Sequence, residues 1–223
     1  ISTETGEKVY SSSNSFTAKP LSGPERVTKV CFLADHGTFE LFGFQVVTKM
    51  KELLDFDPNY LDFVMVVGDL SYAGLSTDMK LLNVTKEDEF SHVWDLLGIQ
   101  NEVISKRIPW MVGVGNHERF YDWSAVSNRY SAPQSTYPSS SSPSGVVTSN
   151  KVFWYDYSYG NVHVIAVSSE HDFSVGGEQR NFILSALDNA KANREITPWI
   201  VVTVHKPIRV SEDGGHCPFM EDL

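Results

Sequence analysis

The chain has 223 residues, a mass of 25.0 kDa, a net charge of −10 and a pI near 5.1. That length carries one domain with a sizeable core, and that charge argues against a binder of duplex nucleic acid. No apolar run reaches the roughly 18 residues needed to span a bilayer. An acidic protein still takes an anionic substrate where metal ions supply positive charge. Cys31 and Cys217 make no disulfide framework. Cys31 reads as a small hydrophobe inside a strand, and a bridge between the two cysteines stays open.

Residues 1–28 read as a tail, with a polar stretch at Ser11 to Ser15 and breakers at Pro20 and Pro24. Lys29 to Ala34 is the first predicted strand. Phe39 to Phe56 has helical spacing, with Phe42, Val46, Val47, Met50, Leu53 and Leu54 apolar, and Asp57-Pro58-Asn59 ends it. Leu61 to Gly68 is a nearly continuous apolar run, the signature of a strand buried on both faces. A loop follows Tyr72 and carries Asn83-Val84-Thr85, a glycosylation sequon. Lys86 to Ile104 is a second amphipathic helix that buries Phe90, Val93, Trp94, Leu97, Val103 and Ile104, with Gly98 weakening its middle.

Pro109 to Val114 is the third strand, and Ala132 to Ser149 is a Ser- and Pro-rich surface loop. Lys151 to Tyr159 and Asn161 to Ser168 alternate around Gly160, which predicts a hairpin. Glu178 to Asn193 is a third helix, with Phe182, Ile183, Leu184 and Leu187 inward. Pro198 to Val204 is the last strand. Strands alternating with helices, then a hairpin, predict an α/β sandwich of mixed sheets flanked by helices.

Four apolar strands end on polar, chemistry-bearing residues. These ends are Asp35-His36-Gly37, Gly68-Asp69-Leu70-Ser71-Tyr72, Gly115-Asn116-His117-Glu118 and His205-Lys206-Pro207. Sites of open α/β sheets lie at the carboxyl ends of strands. Asp35, Asp69, Tyr72, Asn116 and His205 form an oxygen-rich set with one imidazole. Carboxylates bridge cations, imidazole suits Zn, Fe or Mn, and phenolate favours Fe(III). Two metals about 3.5–4 Å apart clamp an in-line displacement at phosphorus. Taken singly, each residue has a plainer reading as a turn former, a core aromatic or a cap.

The first three of these ends, together with Val202-Thr203-Val204-His205, resemble four of the five motif blocks of the purple acid phosphatases, within the calcineurin-like metallophosphoesterases. The Tyr after Gly-Asp-x-x is the sign of the purple branch. Thr197 to Val202 and Ser169-Glu170-His171-Asp172-Phe173, leading to Gln179, resemble it too. The likeness covers roughly residues 9 to 219. It implies Fe(III) at Asp35 and Tyr72, Asp69 as the bridge, and Zn, Mn or Fe at Asn116 and His205. It places His117 in the outer shell near the phosphate. The implied reaction is hydrolysis of phosphate monoesters at acidic pH by a metal-bound hydroxide. His216 is a candidate to aid the leaving group, with a flexible Gly214-Gly215 segment as the alternative. The resemblance also implies a secreted, vacuolar or lysosomal glycoprotein and allows a homodimer.

The fifth block, Gly-His-x-His, does not occur in this sequence. Residues 1–28 are then expected to be the remnant of an N-terminal β domain and its linker, since Glu7 to Pro20 resembles that domain's last strand. Residues 29–223 are expected to be an incomplete catalytic domain, with the strand and helix after His205 missing, an open sheet edge and weak or no activity. Two other readings stand beside this one. A metallophosphodiesterase or nucleotidase shares three of the blocks, and a non-catalytic interaction protein keeps the fold without a complete site.

Overall fold

The structure is a computed structural model. It describes residues 15–16, 21–38, 42–74, 86–133 and 152–207, with the backbone alone over 86–89. The elements follow in the order β1 (Val30–Leu33), α1 (Gly43–Phe56), β2 (Phe63–Val67), α2 (Lys86–Ser105), β3 (Trp110–Gly113), a 3-10 helix (Asn116–Arg119), α3 (Ser124–Arg129), β4 (Tyr155–Tyr159), β5 (Val162–Ala166), α4 (Glu178–Ala192) and β6 (Trp199–Thr203).

Two three-stranded sheets form among the described residues, in the orders β1-β2-β3 and β4-β5-β6. The first is parallel throughout, with Phe32 opposite Met65 and Met65 opposite Met111. The second pairs β4 and β5 antiparallel and β5 and β6 parallel. Side chains alternate along β2. Val64 and Val66 enter the cluster shared with α1 and α2, while Phe63 and Met65 enter the cluster shared with β4 and β5. The second sheet mirrors this: Val164 and Ala166 point to the first sheet, and Ile165 packs with Phe182, Ile183 and Ala186 of α4. The result is four layers: helices, sheet, sheet, helix. Phe63 meets Tyr157 and Tyr159 at centroid distances of 5.6 and 5.2 Å, and the Tyr155 hydroxyl donates to the Val112 carbonyl at 2.7 Å.

The predicted mixed sandwich is therefore present, with corrections in detail. The hairpin strands alternate in chemistry but not in burial: every residue of β5 is buried, because both of its faces are covered. In α1 the buried stripe is Gly43, Val47, Met50 and Leu54. Phe42 and Val46 are exposed, since a step of one residue turns the side chain away from the sheet. Leu184 is exposed for the same reason, and Gln179, Ala186 and Ala190 fill the stripe of α4 instead. α2 runs unbroken through Gly98. The Asp57 turn ends α1 as expected, with its amide bonded to the Leu53 carbonyl. Among the described residues β6 stands at a sheet edge, with Trp199 and Val202 exposed. Cys31 is a half-buried free thiol whose pKa burial raises. Cys217, the sequon and most of the Ser- and Pro-rich stretch lie outside the described residues.

Candidate metal centre

Parallel pairing of β1 with β2 does not stop at the strand ends. The Asp35, His36 and Gly37 amides donate in turn to the Gly68, Asp69 and Leu70 carbonyls at 3.2, 2.9 and 3.0 Å. The two loops are zipped together, so Asp35 and Asp69 stand side by side. Both have left-handed backbones, with φ 52° and 53°, and so does Tyr72 at 56°. Such a conformation costs an L-residue about 1–2 kcal/mol and clusters at functional sites. Tyr72 is the costliest of the three, being bulky. Its hydroxyl is tied to the Asp35 carboxylate at 2.5 Å and to Asp69 Oδ2 at 3.0 Å.

His205 arrives from the other sheet, after β6. Its Nδ1 lies 3.0 Å from the Val67 carbonyl, which fixes the ring with Nδ1–H as donor and turns Nε2 to Asp69 Oδ2 at 3.3 Å. His117 donates its amide to Asp69 Oδ1 at 3.0 Å and brings Nε2 within 3.7 Å of Oδ2. Its ring lies on Tyr72 at 4.5 Å. Asn116 is half-buried and opens the 3-10 helix beside these contacts. The structure thus brings together Asp35, Asp69, Tyr72, His117 and His205, with Asn116 adjacent. His216 lies outside the described residues.

Charges at the site follow from burial and proximity. Burial pushes the Asp69 carboxyl up, but hydrogen bonds from His205 and the His117 amide outweigh it and hold the group below its usual value. Burial lowers His205, yet Asp69, the Val67 carbonyl and Asp35 carry it up to about 9. Tyr72 is pushed well above the usual phenol, by burial first and then by Asp35 and Asp69.

These residues suit a cation. Asp35, Asp69 and His205 each offer a ligand atom, and the three lie within 4.8 Å of one another. His117 Nδ1 is buried with no hydrogen-bond partner among the described residues. Gly115 permits the crowding: a Cβ there would overlap Asp69 Oδ1 and come within 2.8 Å of the Asp69 amide and of His205 Cδ2. Gly68, at φ 84°, admits the turn that a side chain would strain.

Glu118 carries no role in the motif reading, yet it is 0% exposed and accepts three backbone N–H bonds at the centre of the site. Its only signal in the sequence is its place directly after Gly115-Asn116-His117, in a fold that buries it. His36 sits by the site but serves packing. Its Nε2 contacts Asn101 and Gln100 of α2 at 3.0 and 3.1 Å. The Ser169-Glu170-His171 turn is pinned by Gln179, which bonds both the amide and the carbonyl of Ser168. Lys206, next to His205, pairs with Glu170 at 2.9 Å.

Comparison with known proteins bears on the family and the fold. Residues 28–223 match the family model described as calcineurin-like phosphoesterase. A probable inactive purple acid phosphatase 27 of Arabidopsis thaliana is 26% identical over 95% of this chain and 33% of that protein. A nucleotide pyrophosphatase/phosphodiesterase of Hordeum vulgare is 26% identical over 95% of this chain and 55% of that protein. The chain therefore spans a third to about half the length of these relatives. The solved structure of purple acid phosphatase PPD1 from yellow lupin seeds shares the fold, with a TM-score of 0.68 at 24% identity over 95% of this chain and 36% of that one. With the motif blocks assembled where strand ends of the two sheets meet and the match running through them, the chain belongs to the calcineurin-like phosphoesterase family, among relatives of the purple acid phosphatases.

Proposed function

We propose that the protein hydrolyses phosphate monoesters at a dinuclear centre of Fe(III) and a divalent Zn, Mn or Fe ion. One observation carries the reading. A single carboxylate oxygen, Asp69 Oδ2, faces the Tyr72 hydroxyl, His205 Nε2 and His117 Nε2 at 3.0, 3.3 and 3.7 Å. Donors converging on one oxygen from two sheets support the reading of Asp69 as a shared ligand. Asp35 and Tyr72 would hold the ferric ion, Asn116 and His205 the divalent one, and Asp69 both.

The bound ions would supply Lewis acidity and an activated water at phosphorus. The remaining work belongs to the chain. The Val67 carbonyl fixes the His205 tautomer. The His117 amide holds Asp69 Oδ1 while its ring, tilted against Tyr72, stands ready to bind a phosphoryl oxygen. Burial, then Asp35 and Asp69, keeps Tyr72 protonated here, and cations invert that local electrostatic logic. His216 is the candidate proton donor to the leaving oxygen. The sequon at Asn83 favours a secretory or vacuolar setting, and no described helix is long and apolar enough to cross a membrane.

The test is metal content per chain for iron, zinc and manganese, together with turnover of p-nitrophenyl phosphate at acidic pH. In a chain that also carries the Gly-His-x-His block, two metals with one iron, visible colour, loss of that colour in Tyr72→Phe, and monoester turnover are expected, whereas residues 1–223 alone should hold metal more weakly and turn over little. Absence of metal from the chain that carries the block, or metal there without any turnover, would sink the proposal. The barley relative favours a second reading, hydrolysis of nucleotide pyrophosphate or diester bonds. Loaded protein that cleaves bis-p-nitrophenyl phosphate but not the monoester would establish it instead.

A further inference from the structure

Glu118 is buried among backbone amides rather than among charges. Its Oε2 accepts from the Asp69 and Gly115 amides, and its Oε1 from the Leu70 amide, each at 2.8 Å. Consecutive amides of a segment with a left-handed residue point into one concavity that binds an anion. Here the anion is the chain's own carboxylate. The segment it fills is Gly68-Asp69-Leu70, with φ 84° and 53° at its first two residues. The third amide belongs to Gly115, on the loop after β3. One side chain therefore clamps the loops that carry Asp69 and Asn116 to one another.

We infer that Glu118 is a positioning residue that holds Asp69 in its strained backbone conformation and so aims the carboxylate shared by the metals. The inference rests on the proposed metal-ligand role of Asp69. Three bonds to two oxygens need an acceptor at both atoms, which only a carboxylate provides. A carboxamide turns an N–H₂ toward at least one of the three amides. The freed segment then relaxes from its left-handed conformation, and Asp69 loses its aim.

Glu118→Gln and wild type are stripped of metal and titrated with Zn²⁺ by calorimetry, at a temperature where circular dichroism shows both folded. Weakening of about 10–100-fold in the variant is expected, the usual effect of losing a partner that orients a ligand. A folded variant with wild-type affinity overturns the inference. Should the variant not fold, amide hydrogen exchange of the wild type decides. Asp69, Leu70 and Gly115 amides protected well beyond neighbouring loop amides support the clamp, and free exchange at all three refutes it. A wild type that binds no metal even with the Gly-His-x-His block defeats the proposed function alone, and the exchange measurement still judges the clamp.

Discussion

Gly115→Ala is the sharpest probe of the crowding at the site. Gly115 has an ordinary extended backbone, with φ −118°, so alanine brings no conformational strain. Its effect is steric alone. The new Cβ overlaps Asp69 Oδ1 and stands 2.8 Å from both the Asp69 amide and His205 Cδ2. None of these can swing away freely, because Asp69 is bonded through Glu118, His117 and Tyr72, and His205 through Val67. Overpacking of this kind costs about 1–3 kcal/mol, which lowers Tm by roughly 2–12 °C in a chain of this size. Active constellations tolerate only about 0.5 Å of displacement, so metal affinity falls along with Tm. Scanning calorimetry of the metal-free protein and a Zn²⁺ titration read the two effects. Gly98→Ala is the control: a Cβ there meets nothing within 4 Å, on the exposed side of α2. It stabilises by about 0.4–1 kcal/mol and leaves metal binding unchanged. Gly115→Ala with wild-type Tm and affinity would show that the Asp69 and His205 side chains do not meet over Gly115 as described.

Two further predictions concern stability. Tyr155→Phe removes the bond that ties β4 to the Val112 carbonyl between the sheets. Leaving that buried acceptor unmet costs about 1–3 kcal/mol, read as a lower urea midpoint at unchanged slope; an unaltered midpoint refutes the tie. His171 is packed against Trp123, Phe153 and Trp154 and contacts Ser168 Oγ at 2.8 Å. Burial holds it below the usual 6.5, against the pull of Glu170. Its unfolded form therefore protonates first, so its contribution to stability is whole above pH 6.5 and is lost as pH falls below it, until the folded form protonates too. The Tm of metal-free protein between pH 8 and 5 should fall less steeply in His171→Gln than in wild type, and equal slopes would refute the assignment.

Much of the fold was legible because apolar runs and helical stripes are local. Phe63-Val64-Met65-Val66-Val67 reads as a doubly buried strand in any context, and the structure covers it on both faces. What period alone could not settle is how wide a helix's buried stripe is. Phe42, Val46 and Leu184 continue the apolar pattern but lie past the edge of what the sheet covers. That width belongs to the partner surface and not to the helix. Burial of Asn101, by contrast, follows from His36, a residue 65 positions away whose ring it bonds.

The site divides along the same line. Asp35, Asp69, Asn116 and His205 were legible as polar residues at strand ends, because the parallel first sheet gathers the first three at the carboxyl ends of its strands and β6 of the second sheet delivers His205 to the same place. Tyr72 is a different case. Its phenol reaches Asp69 only because three residues of the loop, Gly68, Asp69 and Tyr72 itself, have positive φ, and no local preference favours that for a tyrosine. The backbone cost of that loop is met by contacts that arrive from elsewhere: amides from β1's loop, the Glu118 carboxylate and the phenol's own two acceptors. Glu118 was illegible for a matching reason. A glutamate in a short polar run reads as surface, and only the sandwich, by excluding water between the loops after β2 and β3, turns it into a clamp. Its charge is then set by that exclusion: burial pushes its pKa to about 7 although three amides pull it down. The proposed ligands of this centre occupy motif positions, while the strain that would aim them is held by a side chain whose role exists only in the folded chain.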